Sequence, residues 1–103
     1  MRVKPWEIWY AAVRYEDELT VQDRPVLITS ANKAVIIAFK ITKTKPRNMW
    51  GEYELVMWKS AGLDVPSTVR LTKQINLTEK DMRRRIGALQ LLDILEIQRI
   101  IDG

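Results

Sequence analysis

Apolar and polar positions along this chain change their period near residue 78. Trp6 to Tyr15 (WEIWYAAVRY) is rich in aromatic and branched residues with partial two-residue alternation, which predicts a strand. Glu16-Asp17-Glu18 opens a polar loop that runs to Asp23. Pro25 fixes its own φ and disfavours helix at Arg24, so a second strand over Val26 to Thr29 starts there. The turn cluster Ser30 to Lys33 separates it from Ala34 to Thr42 (AVIIAFKIT), a third strand that pairs with it as a hairpin. Lys43 to Trp50 reads as a loop, Glu52 to Trp58 as a fourth strand, Ser60 to Pro66 as a turn, and Thr68 to Ile75 as a fifth strand.

Beyond Asn76 the signals become helical. Thr78 with Asp81 three positions on resembles a capping box, which predicts a helix to about Ile86, ended by Gly87. Arg83-Arg84-Arg85 would then complement the negative end of that helix. A second helix is predicted from Leu91 to Ile101, with apolar residues nearly encircling its axis. Such a helix needs more than one burial partner: its own sheet plus either a deeper monomer core or a second subunit. There is no internal repeat and no linker, so residues 1–103 are read as one domain. The expected class is mainly β with C-terminal helices, a small antiparallel barrel.

Composition narrows the chemistry. A chain of 103 residues, 47% hydrophobic and 29% charged, is long enough for one core and too apolar for disorder. It has no Cys and no His, which removes thiolate chemistry, disulfides, the commonest metal ligand and the commonest neutral-pH base. Any catalysis rests on carboxylates, hydroxyls, Lys or Arg. No cofactor or metal is expected. Met1 to Lys4 is basic, but Glu7 and Arg14 break the apolar run that follows, and no stretch nears the roughly 18 apolar residues of a membrane span. The expectation is a cytoplasmic protein without a membrane partner.

The net charge of +4 permits a polyanionic partner without requiring one. Lys40, Lys43, Lys45 and Arg47 fall in a run free of carboxylates that Trp50 closes, with Trp58 after the next strand. Cations beside indoles suit single-stranded nucleic acid, although a solvated loop beside core Trp residues has the same sequence. Arg24 opens one strand of the predicted hairpin and Thr42 ends the other. An Arg fork and a Thr hydroxyl on one sheet face can hold a single phosphate and stabilise the charge that builds during phosphodiester cleavage. In RNA the adjacent 2′-hydroxyl is itself the attacking group, so the protein needs no nucleophile. Read from spacing alone, Arg24 pairs with Glu16 or Asp17 and Thr42 merely ends a strand.

The same residues resemble the MazF/PemK toxins of bacterial type II toxin–antitoxin systems, almost end to end. Trp6-Glu7-Ile8-Trp9 stands where that family has a G-D-I-W-type opening strand, Arg24-Pro25-Val26 is similar to its R-P-V strand, and Lys40-Ile41-Thr42 to its I-T strand end. Trp58, Ala61-Gly62-Leu63 and Pro66-Ser67-Thr68-Val69-Arg70 resemble a W-x-x-A-G-L…P-S-x-V-R segment, and Ile86-Gly87-Ala88-Leu89 with Asp93 an I-G-x-L-x-x-x-D pattern. The resemblance implies an SH3-like barrel, a homodimer, a cognate antitoxin partner and metal-independent cleavage of single-stranded RNA at a short sequence, giving a 2′,3′-cyclic phosphate and a 5′-hydroxyl. It implies catalytic roles for Arg24 and Thr42, with Lys43, Lys45, Arg47, Ser67, Arg70 and Thr72 as substrate-binding residues. Three positions depart from the pattern: Trp6 replaces Gly, Thr72 stands where some relatives have an acid, and Lys43 follows Thr42 where Ser is frequent. Arg is a poor base, which leaves Glu16 or Asp17, on a loop that reads more as a gate. The rival readings are a non-catalytic module of the same fold, binding RNA or inhibiting gyrase, and a structural barrel with an incidental basic surface.

Overall fold

The computed structural model describes residues 2–14 and 19–103. The polar segment holding Glu16 and Asp17 lies outside the described residues. Six strands form one antiparallel sheet: β1 (Glu7–Val13), β2 (Gln22–Ala31), β3 (Ile36–Thr42), β4 (Glu52–Glu54), β5 (Thr68–Leu77) and β6 (Met82–Ala88). The spatial order is β4-β5-β3-β2-β1-β6, and a single α-helix, α1 (Leu91–Asp102), follows. The mainly β class and the β2–β3 hairpin match expectation. The barrel does not close, because β4 and β6 remain edges. No helix among the described residues is long and apolar enough to cross a membrane.

Both faces of the sheet are buried, and this explains why alternation in the sequence is only partial. One face carries Trp9, Ala11, Val26, Ile28, Ile36 and Ala38, a cluster built from strand residues, so the sheet curls over it. Breaks in register at Ile8/Trp9, Tyr10/Ala11, Ile28/Ser30 and Phe39/Lys40 supply the bends. The opposite face carries Ile8, Leu27, Phe39, Ile41 and Val69, covered by Leu55, Ala61, Leu89 and Ile97. Helix α1 and the 55–67 segment are therefore the lid of the second core.

Two predicted elements differ. The fourth strand stops at Glu54 rather than Trp58. Asp93, fully buried at the start of α1, accepts the Val56 and Met57 amides at 3.0 and 2.8 Å, so these donors leave the ladder. It also accepts the Tyr53 hydroxyl at 2.5 Å. Burial and this carboxylate push the Tyr53 hydroxyl well above its ordinary pKa. The second difference is the predicted 78–86 helix. The capping contact exists, Thr78 N donating to Asp81 Oδ2 at 2.9 Å, but only a 3-10 turn over Glu79–Asp81 results. The chain then extends as β6 against β1. Met82 and Ile86 alone would make too narrow an apolar face for a short helix, whereas pairing with β1 satisfies the backbone. Gly87 is not a helix stop: a Cβ there would collide with the Ala61 carbonyl, and one at Gly62, where φ is +100°, would lie 2.6 Å from Ile86 O. The A-G and I-G pairs are where two backbones cross.

The three arginines of β6 accordingly serve strand contacts. Arg84 lies 4.6 Å over the Tyr10 ring, and Arg83 Nε is 3.4 Å from Asp23. Arg85 Nε donates to Glu7 at 2.7 Å. Glu7 also accepts Trp9 Nε1 at 3.0 Å and Lys4 N at 2.8 Å. Burial pushes the Glu7 carboxyl up, but the bonds from Trp9, Lys4 and Arg85 together hold it below its ordinary value. Trp6, just before β1, has φ of 70°, a left-handed conformation that suits the glycine of the resembled motif. Its amide donates to Ile28 O at 2.6 Å and its carbonyl accepts Leu89 N at 2.9 Å, which pins the strained backbone while the ring packs on the second core.

Asp93→Ala leaves the half-buried Tyr53 hydroxyl and two amides without an acceptor. Chemical denaturation should show a loss of about 3 kcal/mol or more, and a loss under about 1 kcal/mol would contradict the role given to this carboxylate. The Glu7 contribution is fully present above the ordinary Glu pKa of 4.5 and is lost as pH falls through the lower folded value. In melts from about pH 5 to about pH 3, Glu7→Gln should therefore lose less stability than the parent protein.

Candidate functional site

Antiparallel pairing lets a single rung be followed across the sheet. Ala11 lies opposite Arg24, Thr42 opposite Thr68, and Thr68 opposite Glu54. Between β2 and β3 the register sets Val26 opposite Lys40, and carried two residues further it sets Arg24 opposite Thr42. Directly opposed residues project to the same face with Cβ atoms roughly 5 Å apart. The next rung on that face is Trp9, Val26, Lys40, Arg70 and Glu52. Arg24, Lys40, Thr42, Thr68, Arg70 and Glu52 thus gather at one end of the concave face, beyond its apolar cluster. Arg24 and Thr42 are both half-buried, neither sealed inside nor on separate walls.

The hydroxyl of Thr42 is oriented locally. It accepts the Thr44 amide at 3.2 Å and donates to the Thr44 hydroxyl at 3.3 Å, which turns the chain into the basic loop. Lys43 and Lys45 project from that loop into solvent. Arg47 folds back: its amide, Nε and Nη2 donate to the Glu52 carboxylate at 2.8, 3.0 and 2.6 Å. The side chain of Glu52 is only 1% exposed, and Arg70 Nε lies 3.4 Å from it without making a hydrogen bond. The Arg47 hydrogen bonds, chiefly from the guanidinium, hold the Glu52 carboxyl below its usual range, and Glu52 in turn raises Arg47.

The remaining predicted residues divide. Arg70 sits one rung from Arg24, and Thr72 is exposed two residues further along β5, beside Gly51. Ser67 is buried, with its hydroxyl donating to Val65 O at 2.9 Å and its carbonyl accepting Leu55 N. Its bonds hold the turn into β5. Trp50 is 70% exposed on the basic loop, whereas Trp58 packs against the second core. Glu52, Thr68 and Thr44 were not found from sequence. The available signal for Glu52 was its place as the first acid after a run of four cations. Among the described residues, no three Asp or Glu side chains gather in a group able to hold a metal ion.

Comparison with known proteins gives this geometry a context. The family model described as PemK-like, MazF-like toxin of type II toxin–antitoxin system matches residues 4–102. A search of curated proteins matches nothing. Among solved structures, an endoribonuclease in complex with its cognate antitoxin from Mycobacterial species superposes with a TM-score of 0.77 at 16% identity, covering 97% of this chain and 91% of that one. Mycobacterium tuberculosis toxin MazF-mt6 gives 0.74 at 24% identity, covering 92% and 91%. At these identities the likeness is one of fold.

Proposed function

The chain belongs to the PemK-like, MazF-like toxin family of type II toxin–antitoxin systems, and from that premise we propose that it is an endoribonuclease cleaving single-stranded RNA at a short sequence. The observation that carries the reading is the Val26–Lys40 pairing, whose extension by two residues brings Arg24 beside Thr42 at the cationic end of the face. The 2′-hydroxyl loses its proton and attacks the adjacent phosphorus. The 2′-O–P bond forms, the P–O5′ bond breaks, and the departing oxygen takes up a proton. The products are a 2′,3′-cyclic phosphate and a 5′-hydroxyl. The Arg24 guanidinium donates to the non-bridging oxygens, where negative charge grows. Thr42 steadies the same phosphate. Lys43, Lys45 and Arg70 neutralise flanking phosphates, Arg47 is turned to Glu52 and serves the strand through the loop it holds, and Thr72 lies along their path. An exposed Trp50 indole beside them offers a base a stacking platform.

Two partners complete the proposal. One is a cognate antitoxin, as the similar Mycobacterial endoribonuclease has. The other is a second copy of the chain. Leu91, Leu92 and Leu95 are exposed on α1, on the side away from Asp93 and Ile97. Joining two such faces would give this helix the second burial partner that its apolar circumference calls for. The proposed compartment is the cytoplasm, where RNA and antitoxin meet the toxin.

Purified protein should cleave a long RNA in EDTA, with mapped 5′-hydroxyl ends at a shared short sequence. Arg24→Ala should remain folded and lose cleavage by about 10²-fold or more; undiminished cleavage would refute the assignment. In sedimentation, the parent protein should run as a dimer and Leu95→Glu should shift it toward monomer. A parent protein monomeric at tens of micromolar, on the order of ordinary assay concentrations, would contradict the dimer.

A further inference from the structure

Glu52 stands out because its side chain is only 1% exposed although it lies beside the basic loop. It lies opposite Arg70, one rung from Arg24 and Thr42, and on their face of the sheet. Its three short hydrogen bonds all come from Arg47, one of them from the backbone. Its own amide reaches back to Met49 O at 3.4 Å. The loop is thus fastened to β4 at its middle and its end, while the Thr42–Thr44 contacts fasten its start.

We propose that Glu52 is a positioning residue for RNA, holding the 43–50 loop and Arg70 against the sheet so that Lys43, Lys45 and the Trp50 indole meet the strand as one preformed surface. The inference rests on the ribonuclease reading above. Lys43, Lys45 and Arg47 crowd three positive charges onto one short loop, and a loose loop would have to be ordered at the moment of binding, which weakens affinity. Glu52 is a poor candidate for the base. Its oxygens are already engaged by Arg47, and the two flanking guanidiniums disfavour its protonated form.

The test is steady-state cleavage of a short single-stranded RNA by Glu52→Gln, alongside trypsin cleavage after Lys43 without RNA, Lys45 being protected by Pro46. Loss of the charge-assisted bonds should raise KM about tenfold or more with kcat within about threefold, and should speed trypsin cleavage after Lys43. Should Glu52→Gln fail to fold, Arg47→Lys is the second variant. It keeps the charge, removes the fork from the exposed side of the contact, and should give the same pair of changes. An unmoved KM or an unmoved trypsin pattern overturns the inference, as does an equal fall in kcat and kcat/KM at constant KM, which would place Glu52 in the transition state. A parent protein that cleaves no RNA overturns the ribonuclease reading and this inference together; parent cleavage with an unmoved variant KM overturns this inference alone.

Discussion

The register of the β2–β3 hairpin is the constraint on which the proposed site depends. With Val26 opposite Lys40, Arg24 and Thr42 fall on one rung and one face. A slip of a single residue would send one of them to the opposite side of the sheet. The register is held from both directions. Leu27 and Phe39 sit opposite each other in the core under α1, and Ile28 and Ala38 sit opposite each other in the core enclosed by the sheet. Because both faces are buried, neither strand can slide without exposing one apolar set and burying polar residues in its place. The energy that folds the protein is thus the energy that aligns the guanidinium with the hydroxyl.

Three shielded carboxylates do related work at the margins of the sheet. Asp93 gathers the end of β4 and the turn after it onto the start of α1. Glu7 ties the N-terminal turn and β6 to β1. Glu52 ties the basic loop to β4. Each accepts several donors from residues that secondary structure leaves without partners, the condition under which a shielded carboxylate stabilises instead of costing free energy. The first two fix the scaffold and the third fixes the surface where a polyanion would lie.

Much of the fold was legible in the sequence because strand signals are local. Branched and aromatic runs marked β1, β3 and β5, and Pro25 with the Ser30–Lys33 cluster bracketed the hairpin. The failures occurred where long-range contacts decide. Thr78 and Asp81 form their capping contact, yet nothing local shows that β1 has a free edge for Met82–Ala88. Nothing around Val56 shows that its amide will turn to a carboxylate 37 positions away. Gly87 looked like a helix stop because a glycine required by a close backbone approach is indistinguishable in sequence from one required by a turn. At the proposed site, the placement of Arg24 near Thr42 was legible from the hairpin, and their roles come from family resemblance alone. Glu52 was not, since its role depends on which strand lies beside β5. The buried placement of Ser67 was likewise invisible in its motif.

The central claim is that one guanidinium and one hydroxyl act on the same phosphate, and a double-mutant cycle on kcat/KM for RNA cleavage tests it most directly. With the mild substitutions Arg24→Lys and Thr42→Val, a shared phosphate predicts that the double variant loses clearly less than the product of the two single losses, a coupling of about 1 kcal/mol or more. Losses that multiply within error would show the two side chains acting independently and would contradict the account.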